Sequence, residues 1–310
     1  MSVGLWGEKP YYSLDYYLKQ TFGGKVYKIT LNGGMTCPNR DGKLGTGGCI
    51  FCSAGGSGEF AAPAALPITE QIAFGKSRLS ERIRADRYIA YFQAFTNTYA
   101  PVDYLRKIFT EAISCPDVAV LSVATRPDCL GDNVLELLSE LNRIKPVWVE
   151  LGLQSAKEST AQYIRRGYPL ECFDRAVFNL KSRGIVTVVH TILGLPFETE
   201  EDVLNTICHV NRSGADGIKL QLLHVLENTD LANEYRAGKF RVLEEEEYVA
   251  LVCRCIAHLD ESIVIHRLTG DGPSEQLIAP LWSRSKMTVL NEIHHRLKME
   301  GIRQGCEKID

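Results

Sequence analysis

Residues 26–53 read VYKITLNGGMTCPNRDGKLGTGGCIFCS. The stretch opens on Val26–Leu31, a short β-branched run that predicts a strand. A glycine-rich loop follows and carries Cys37, Cys49 and Cys52. Two residues separate Cys49 from Cys52, a spacing that lets both thiolates reach one metal centre. Eleven residues separate Cys37 from Cys49, and they include Gly42, Gly45, Gly47 and Gly48. Glycines let the backbone bend tightly around a bulky centre. Pro38 and Asp41-Gly42 add turn chemistry.

Outward from this loop the chain alternates between strand-like and helix-like segments. Further strands are expected at Tyr88–Phe95, Val118–Thr125, Val147–Leu153, Ile185–Leu193 and Gly217–Val225. Helices are expected at 68–86, 101–114, 132–143, 157–165 and 170–183. Another opens at Thr199-Glu-Glu-Asp202, a capping box in which hydroxyl and carboxylate satisfy orphan backbone donors. Six βα repeats in series demand a parallel sheet with helical crossovers. The continuous apolar runs fit strands covered on both faces. An open doubly wound sheet and a curved barrel both satisfy this pattern. Residues 1–24 form an N-terminal segment and 25–230 the core. Residues 231–310 are helix-rich, end in a helix at 285–303 and offer one more strand at Ile263–Arg267. They read as an extension packed on the core, because no Pro/Gly/Ser linker sets them apart.

A net charge of -3 gives no global attraction to nucleic acid or an anionic membrane. The basic stretches 76–87 and 294–308 read as solvated helix faces. The N-terminal twenty residues lack an apolar signal core, and the longest apolar stretch, Ile185 to Pro196, is too short to span a bilayer. A cytoplasmic protein is expected, in which cysteines are not disulfides. Cys115, Cys129, Cys172, Cys208, Cys253, Cys255 and Cys306 are scattered and default to packing. Cys253 and Cys255 sit two steps apart on an expected helix, so they face nearly opposite ways.

Two readings compete for the cysteine loop. A zinc knuckle needs a fourth ligand, and no nearby histidine or second Cys-x-x-Cys supplies one. Three thiolates with one open position suit an iron–sulfur cluster. The loop also follows the first strand, and functional residues on parallel strands gather at the carboxyl ends.

The stretch from Phe22 to Phe60, with its Cys-x11-Cys-x2-Cys loop, resembles a branch of the radical S-adenosylmethionine (SAM) proteins. That branch is related to the elongator catalytic subunit and oxygen-independent coproporphyrinogen oxidase. Its usual spacing is three residues, then two; eleven is a variant within the branch. The resemblance runs from about Tyr11 to the C-terminus. It implies a partial (β/α)6 TIM-like barrel, preferred over the open sheet, with a helix-rich C-terminal extension. It further implies a 4Fe-4S cluster on Cys37, Cys49 and Cys52. The family's SAM-amino segment falls here on Thr96, Asn97 and Thr98, without its carboxylate. Gly152, Gln154 and Ser155 match a Gly-x-Gln-Ser segment that contacts ribose or substrate. Arg166 falls where an arginine meets the SAM carboxylate, a contact that suits guanidinium. His190 and Leu220 fall in adenine-contacting segments, although a histidine in an apolar strand also reads as a satisfied core residue.

The resemblance implies that the reduced cluster cleaves SAM to a 5′-deoxyadenosyl radical, with a reductase, flavodoxin or ferredoxin as electron donor. Relatives of this branch act on tRNA bases, proteins or tetrapyrroles, and a tRNA substrate is the expectation. A small molecule or peptide is the alternative enzymatic substrate, and a zinc-stapled, non-enzymatic binding module the alternative class. The Asp271-Gly-Pro273 turn is expected over the barrel mouth.

Overall fold

Uninterrupted apolar runs such as VAVLSVAT leave no polar face for solvent, so they form strands only where both faces are covered. Amphipathic helices supply that cover. The computed structural model describes residues 6–56, 58–59, 61–80, 85–270 and 272–308. In chain order it contains α1 (Leu14–Phe22), β1 (Val26–Leu31), α2 (Ile68–Ser80), β2 (Arg87–Phe92), α3 (Val102–Ser114), β3 (Val118–Thr125), α4 (Asp132–Asn142) and β4 (Val147–Gln154). Next come α5 (Glu158–Tyr163), α6 (Leu170–Lys181), β5 (Val186–Leu193), α7 (Glu200–Ser213), β6 (Gly217–Leu222), β7 (Val225–Leu226) and α8 (Asp230–Arg236). The chain ends with α9 (Glu245–His258), β8 (Val264–Arg267), β9 (Leu277–Ala279) and α10 (Lys286–Met299).

Seven strands pair in parallel in the order β1-β2-β3-β4-β5-β6-β8 and curl into a half-barrel. The expected six-stranded sheet therefore gains a seventh member. β8 lies beside β6, with Gly217 opposite Val264 and Lys219 opposite Arg267, because its apolar Val264 and Ile265 cover an otherwise open edge. Two expected strands end early. β2 stops at Phe92, and the chain then turns through Phe95, which sits at φ 59 in the left-handed region; β6 stops at Leu222 before the separate β7–β9 ribbon. The expected helix 68–86 is described to Ser80, and residues 81–84, part of the basic stretch 76–87, lie outside the described residues. The capping box forms as read: Thr199 accepts from the Asp202 backbone N–H, and the Asp202 carboxylate accepts from the Thr199 backbone N–H at 2.9 Å.

The convex face packs on helices. On α3, Leu105, Ile108, Phe109 and Ala112 are buried, the 3–4 spacing of one helical stripe. The concave face is built in layers, because every second strand residue points inward. At the strand starts, Val26, Ile89, Val120 and Trp148 form an apolar layer that Leu18 and Tyr17 of α1 close from below. Gly217 belongs to this layer and must lack a side chain. A Cβ there would lie 2.8 Å from His266 Nε2. Two residues further along the strands the character changes to Lys28, Tyr91, Ser122, Glu150 and Lys219. Above these, Gln93, Ala124, Gly152, Ile192 and Gln221 line a cavity that opens at the carboxyl ends. Among the described residues, no helix is long and apolar enough to cross a membrane.

Candidate active site

The loop after β1 forms the rim of this cavity and brings Cys37, Cys49 and Cys52 to its wall. Backbone hydrogen bonds shape the loop locally. Arg40 N donates to Cys37 O at 2.8 Å, Gly48 N to Asn39 O at 2.8 Å and Cys52 N to Cys49 O at 3.0 Å. Two side chains then tie it down. Asn39 Nδ2 donates to Arg165 O at 2.8 Å, and Arg40 Nη2 donates to Cys52 O at 3.0 Å and Ser53 O at 2.5 Å. Burial pushes the Cys49 thiol up to about 12, and Cys52 adds to the rise while Arg126 opposes it. Burial also raises Cys52, with Arg40 pulling it back down. Iron would displace those protons, and the neighbouring guanidinium groups would hold the resulting thiolates. Among the described residues, no three His, Cys, Asp or Glu side chains converge on a single ion. A four-iron cluster is larger than one ion and spaces its cysteines more widely. Three thiolates on one wall of an open cavity fit such a cluster with one position left over.

Other expected site residues divide into two groups. Thr96, Gly152, Gln154, Arg166 and His190 line the cavity together with the cysteines. Gln154 sits at φ 65 and folds its amide over Gly152, where a Cβ would meet Gln154 Nε2 at 2.8 Å. Its Oε1 is buried at the cavity wall and has no hydrogen-bond partner among the described residues. A ribose hydroxyl matches that need, so the residues present also fit SAM. Arg166 is more constrained than a carboxylate ligand would be. Its guanidinium donates to the carbonyls of Leu153, Ser155 and Tyr168, at 3.1, 2.7 and 3.1 Å, and pairs with Glu158.

The second group is turned away. Asn97 Nδ2 donates to Phe92 O and Ala124 O, and the Thr98 hydroxyl bonds Thr125 and Cys129 O. Ser155 Oγ donates to Glu198. Leu220 packs in the convex core, while its neighbours Lys219 and Gln221 face inward. Strand alternation decides this: a one-residue choice on β6 exchanges the cavity for the core. Gly272 and Pro273 do line the mouth, and Asp271 lies outside the described residues.

Below the rim is a cluster that the motifs did not disclose. Glu150 is completely buried, and both its oxygens are fully engaged. Oε1 accepts from Lys28 Nζ at 2.9 Å and Ser122 Oγ at 2.8 Å; Oε2 accepts from His190 Nε2 at 2.7 Å and from Lys219 Nζ. Lys219 also reaches Tyr91 OH at 3.2 Å, and both lysines lie over the Tyr91 ring. Burial opposes the Glu150 charge, but Lys219 and Lys28 outweigh it and hold the carboxyl well below its usual range. Burial pushes His190 down to about 4, with Lys219 adding to the fall, so the imidazole is neutral and its Nε2–H points at Glu150. A charged residue inside an apolar strand run was the available signal: Lys219 in GIKLQL and Glu150 in VWVELGLQ each require a buried partner.

Residues 37–209 match the Radical SAM superfamily, and residues 215–299 match the Radical_SAM C-terminal domain. The Bacillus subtilis protein YtqA is 44% identical over 298 residues, which cover 96% of this chain and 92% of that protein. A tRNA uridine(34) acetyltransferase of Methanocaldococcus jannaschii is 23% identical over 190 residues, 60% of this chain and 34% of that protein. In fold, the chain is similar to Elp3 of Methanocaldococcus infernus lacking residues 1–46, with a TM-score of 0.68, 16% identity, and coverage of 90% of this chain and 64% of that one. Radical SAM proteins are enzymes that use a 4Fe-4S cluster together with SAM. The cysteine rim, the half-barrel and the match across more than half of the chain lead to one conclusion: this protein belongs to the radical SAM superfamily.

Proposed function

We propose that this radical SAM enzyme modifies tRNA. Cys37, Cys49 and Cys52 would hold the cluster, and Thr96, Gly152 and Gln154 would line the SAM site beside it. When bound, cluster and SAM supply a 5′-deoxyadenosyl radical that abstracts hydrogen from substrate. The protein's share of the work is positioning and shielding. The rim fixes the cysteines, the unpartnered Gln154 carbonyl offers an acceptor, and the curled sheet keeps bulk water off the inner wall. A flavodoxin or ferredoxin would act as the one-electron donor.

The observation that carries the substrate reading is the similarity to the tRNA uridine(34) acetyltransferase, which extends over 190 residues of this chain. The net charge of -3 means that a tRNA would be gripped locally rather than drawn in by a global field. The test is anaerobic incubation of cluster-loaded protein with SAM, dithionite and tRNA from a strain lacking the gene. The expected result is 5′-deoxyadenosine released faster with tRNA than without it, and one altered nucleoside in the digested tRNA. Unchanged nucleosides, with release stimulated by a small molecule or peptide instead, would overturn the tRNA reading.

A further inference from the structure

We propose that the charged layer inside the half-barrel, centred on Lys219, is a subsite for an oxyanion, a carboxylate or phosphate carried by the part of the substrate that enters the barrel. The interior of a packed barrel is ordinarily filled with branched apolar side chains. Here only the lowest layer follows that rule. Lys28, Tyr91, Ser122, Glu150 and Lys219 form the next one, and Tyr91, Glu150, His190 and Lys219 line the same cavity as the three cysteines.

Charge within the layer is unbalanced. Two ammonium groups, Lys28 and Lys219, converge on the single carboxylate of Glu150. That carboxylate accepts four hydrogen bonds and has nothing left to offer a ligand. Its role is to anchor the cations and His190. Lys219 has three N–H donors, of which Glu150 and Tyr91 occupy two; the third has no partner among the described residues. Lys219 is almost completely buried, and burial, with Lys28 and Arg267 beside it, pulls its pKa well below the usual lysine range against the support of Glu150. An anion entering the cavity would stabilise the ammonium form and complete the arrangement. Desolvation makes such a contact count for more than a surface pair.

This inference rests on the reading that the cavity above the layer holds cluster and SAM, and the test separates the two. Cluster-loaded protein with saturating SAM, so that SAM occupies its own site, is titrated calorimetrically with succinate, inorganic phosphate and uncharged succinamide. Release of 5′-deoxyadenosine under dithionite is scored separately and reports on the radical SAM site alone. Binding of succinate or phosphate, but not succinamide, is expected, and which anion binds distinguishes a carboxylate from a phosphate source. Lys219→Met should weaken that binding by about tenfold or more, while Lys219→Arg retains it. Lys28→Met, which removes the other cation, should weaken it too and serves if Lys219→Met does not fold. Absence of anion binding, or equal binding by the wild type and both methionine variants, would overturn the proposal even if SAM cleavage is normal.

Discussion

The rim and the inner layer of the half-barrel solve opposite problems with groups only a few residues apart along the strands. At the rim, three half-buried cysteines sit on a loop stitched by its own backbone and by Arg40, with Asn39, Cys49 and Ile50 tying it to Ile164 and Arg165. In the inner layer, β1, β2, β3, β4, β5 and β6 each contribute a side chain, and none of these groups is near another in sequence. Cys49 Sγ adds two long contacts, from Asn39 Nδ2 and to Arg165 O at 3.5 Å each. The loop is held mainly by backbone and by Asn39 and Arg40, so the rim should lose the Cys52 thiol without disturbing the fold. The inner layer cannot lose its carboxylate, because Lys219 is buried against it and the partly exposed Lys28 shares it. Chemistry is thus concentrated where the structure is locally self-supporting, and stability depends on where the charges are shared across the sheet.

Two substitutions probe that contrast. Cys52→Ala should give the largest effect on function: iron content falls, and 5′-deoxyadenosine release drops to background. Compared as apoproteins, so that cluster binding does not enter the balance, its thermal midpoint should stay close to wild type, since a half-buried cysteine contributes about 1 kcal/mol or less. A collapse of the apoprotein's stability would erase the distinction between rim and interior. Glu150→Gln should do the reverse. It leaves Lys28 and Lys219 facing each other without their counter-charge, at a cost of about 3–5 kcal/mol in denaturant unfolding. A Glu150→Gln protein as stable as wild type would show that the lysines shed their charge without penalty.

The same contrast explains what could be read from the sequence. The cysteine loop was legible because its information is local: three thiols, their glycines and the preceding strand occupy 28 consecutive residues, 26–53. The strands were legible because buried parallel strands are apolar throughout. That continuity concealed their parity, however. In Gly217–Leu222, by contrast, the alternation is plain: Ile218, Leu220 and Leu222 are apolar and pack in the core, while Lys219 and Gln221 face the cavity, so the parity that turns Leu220 away was readable there. Thr98, Asn97 and Ser155 have the right chemistry for a ligand, but their hydrogen-bonding capacity is committed largely to the protein itself, which only the assembled fold reveals. β8 was legible as a strand but not as the seventh member of the sheet, because its partner β6 lies some forty residues earlier.

His190 sharpens the comparison through pH, with the smallest effect of the three. Its folded state is neutral, held down to about 4 by burial and by Lys219, whereas an unfolded histidine titrates near 6.5. Between these values the unfolded chain binds a proton that the folded chain refuses, so stability is intact above about 6.5 and is lost as pH falls toward 4. The full contribution is about 3 kcal/mol, the free-energy equivalent of that shift. His266 is also pushed down by burial and contributes to the same slope, so the wild-type curve alone is not diagnostic. His190→Gln keeps an N–H donor for Glu150 and removes the titration. The stability difference between wild type and this variant should therefore move in the variant's favour as pH drops from 6.5 to 4.5, while His266 cancels between them. Parallel curves over that range would mean that His190 takes up its proton equally in both states. The interior would then yield to acid as readily as the rim, and the division between a self-supporting rim and a charge-dependent interior would not hold.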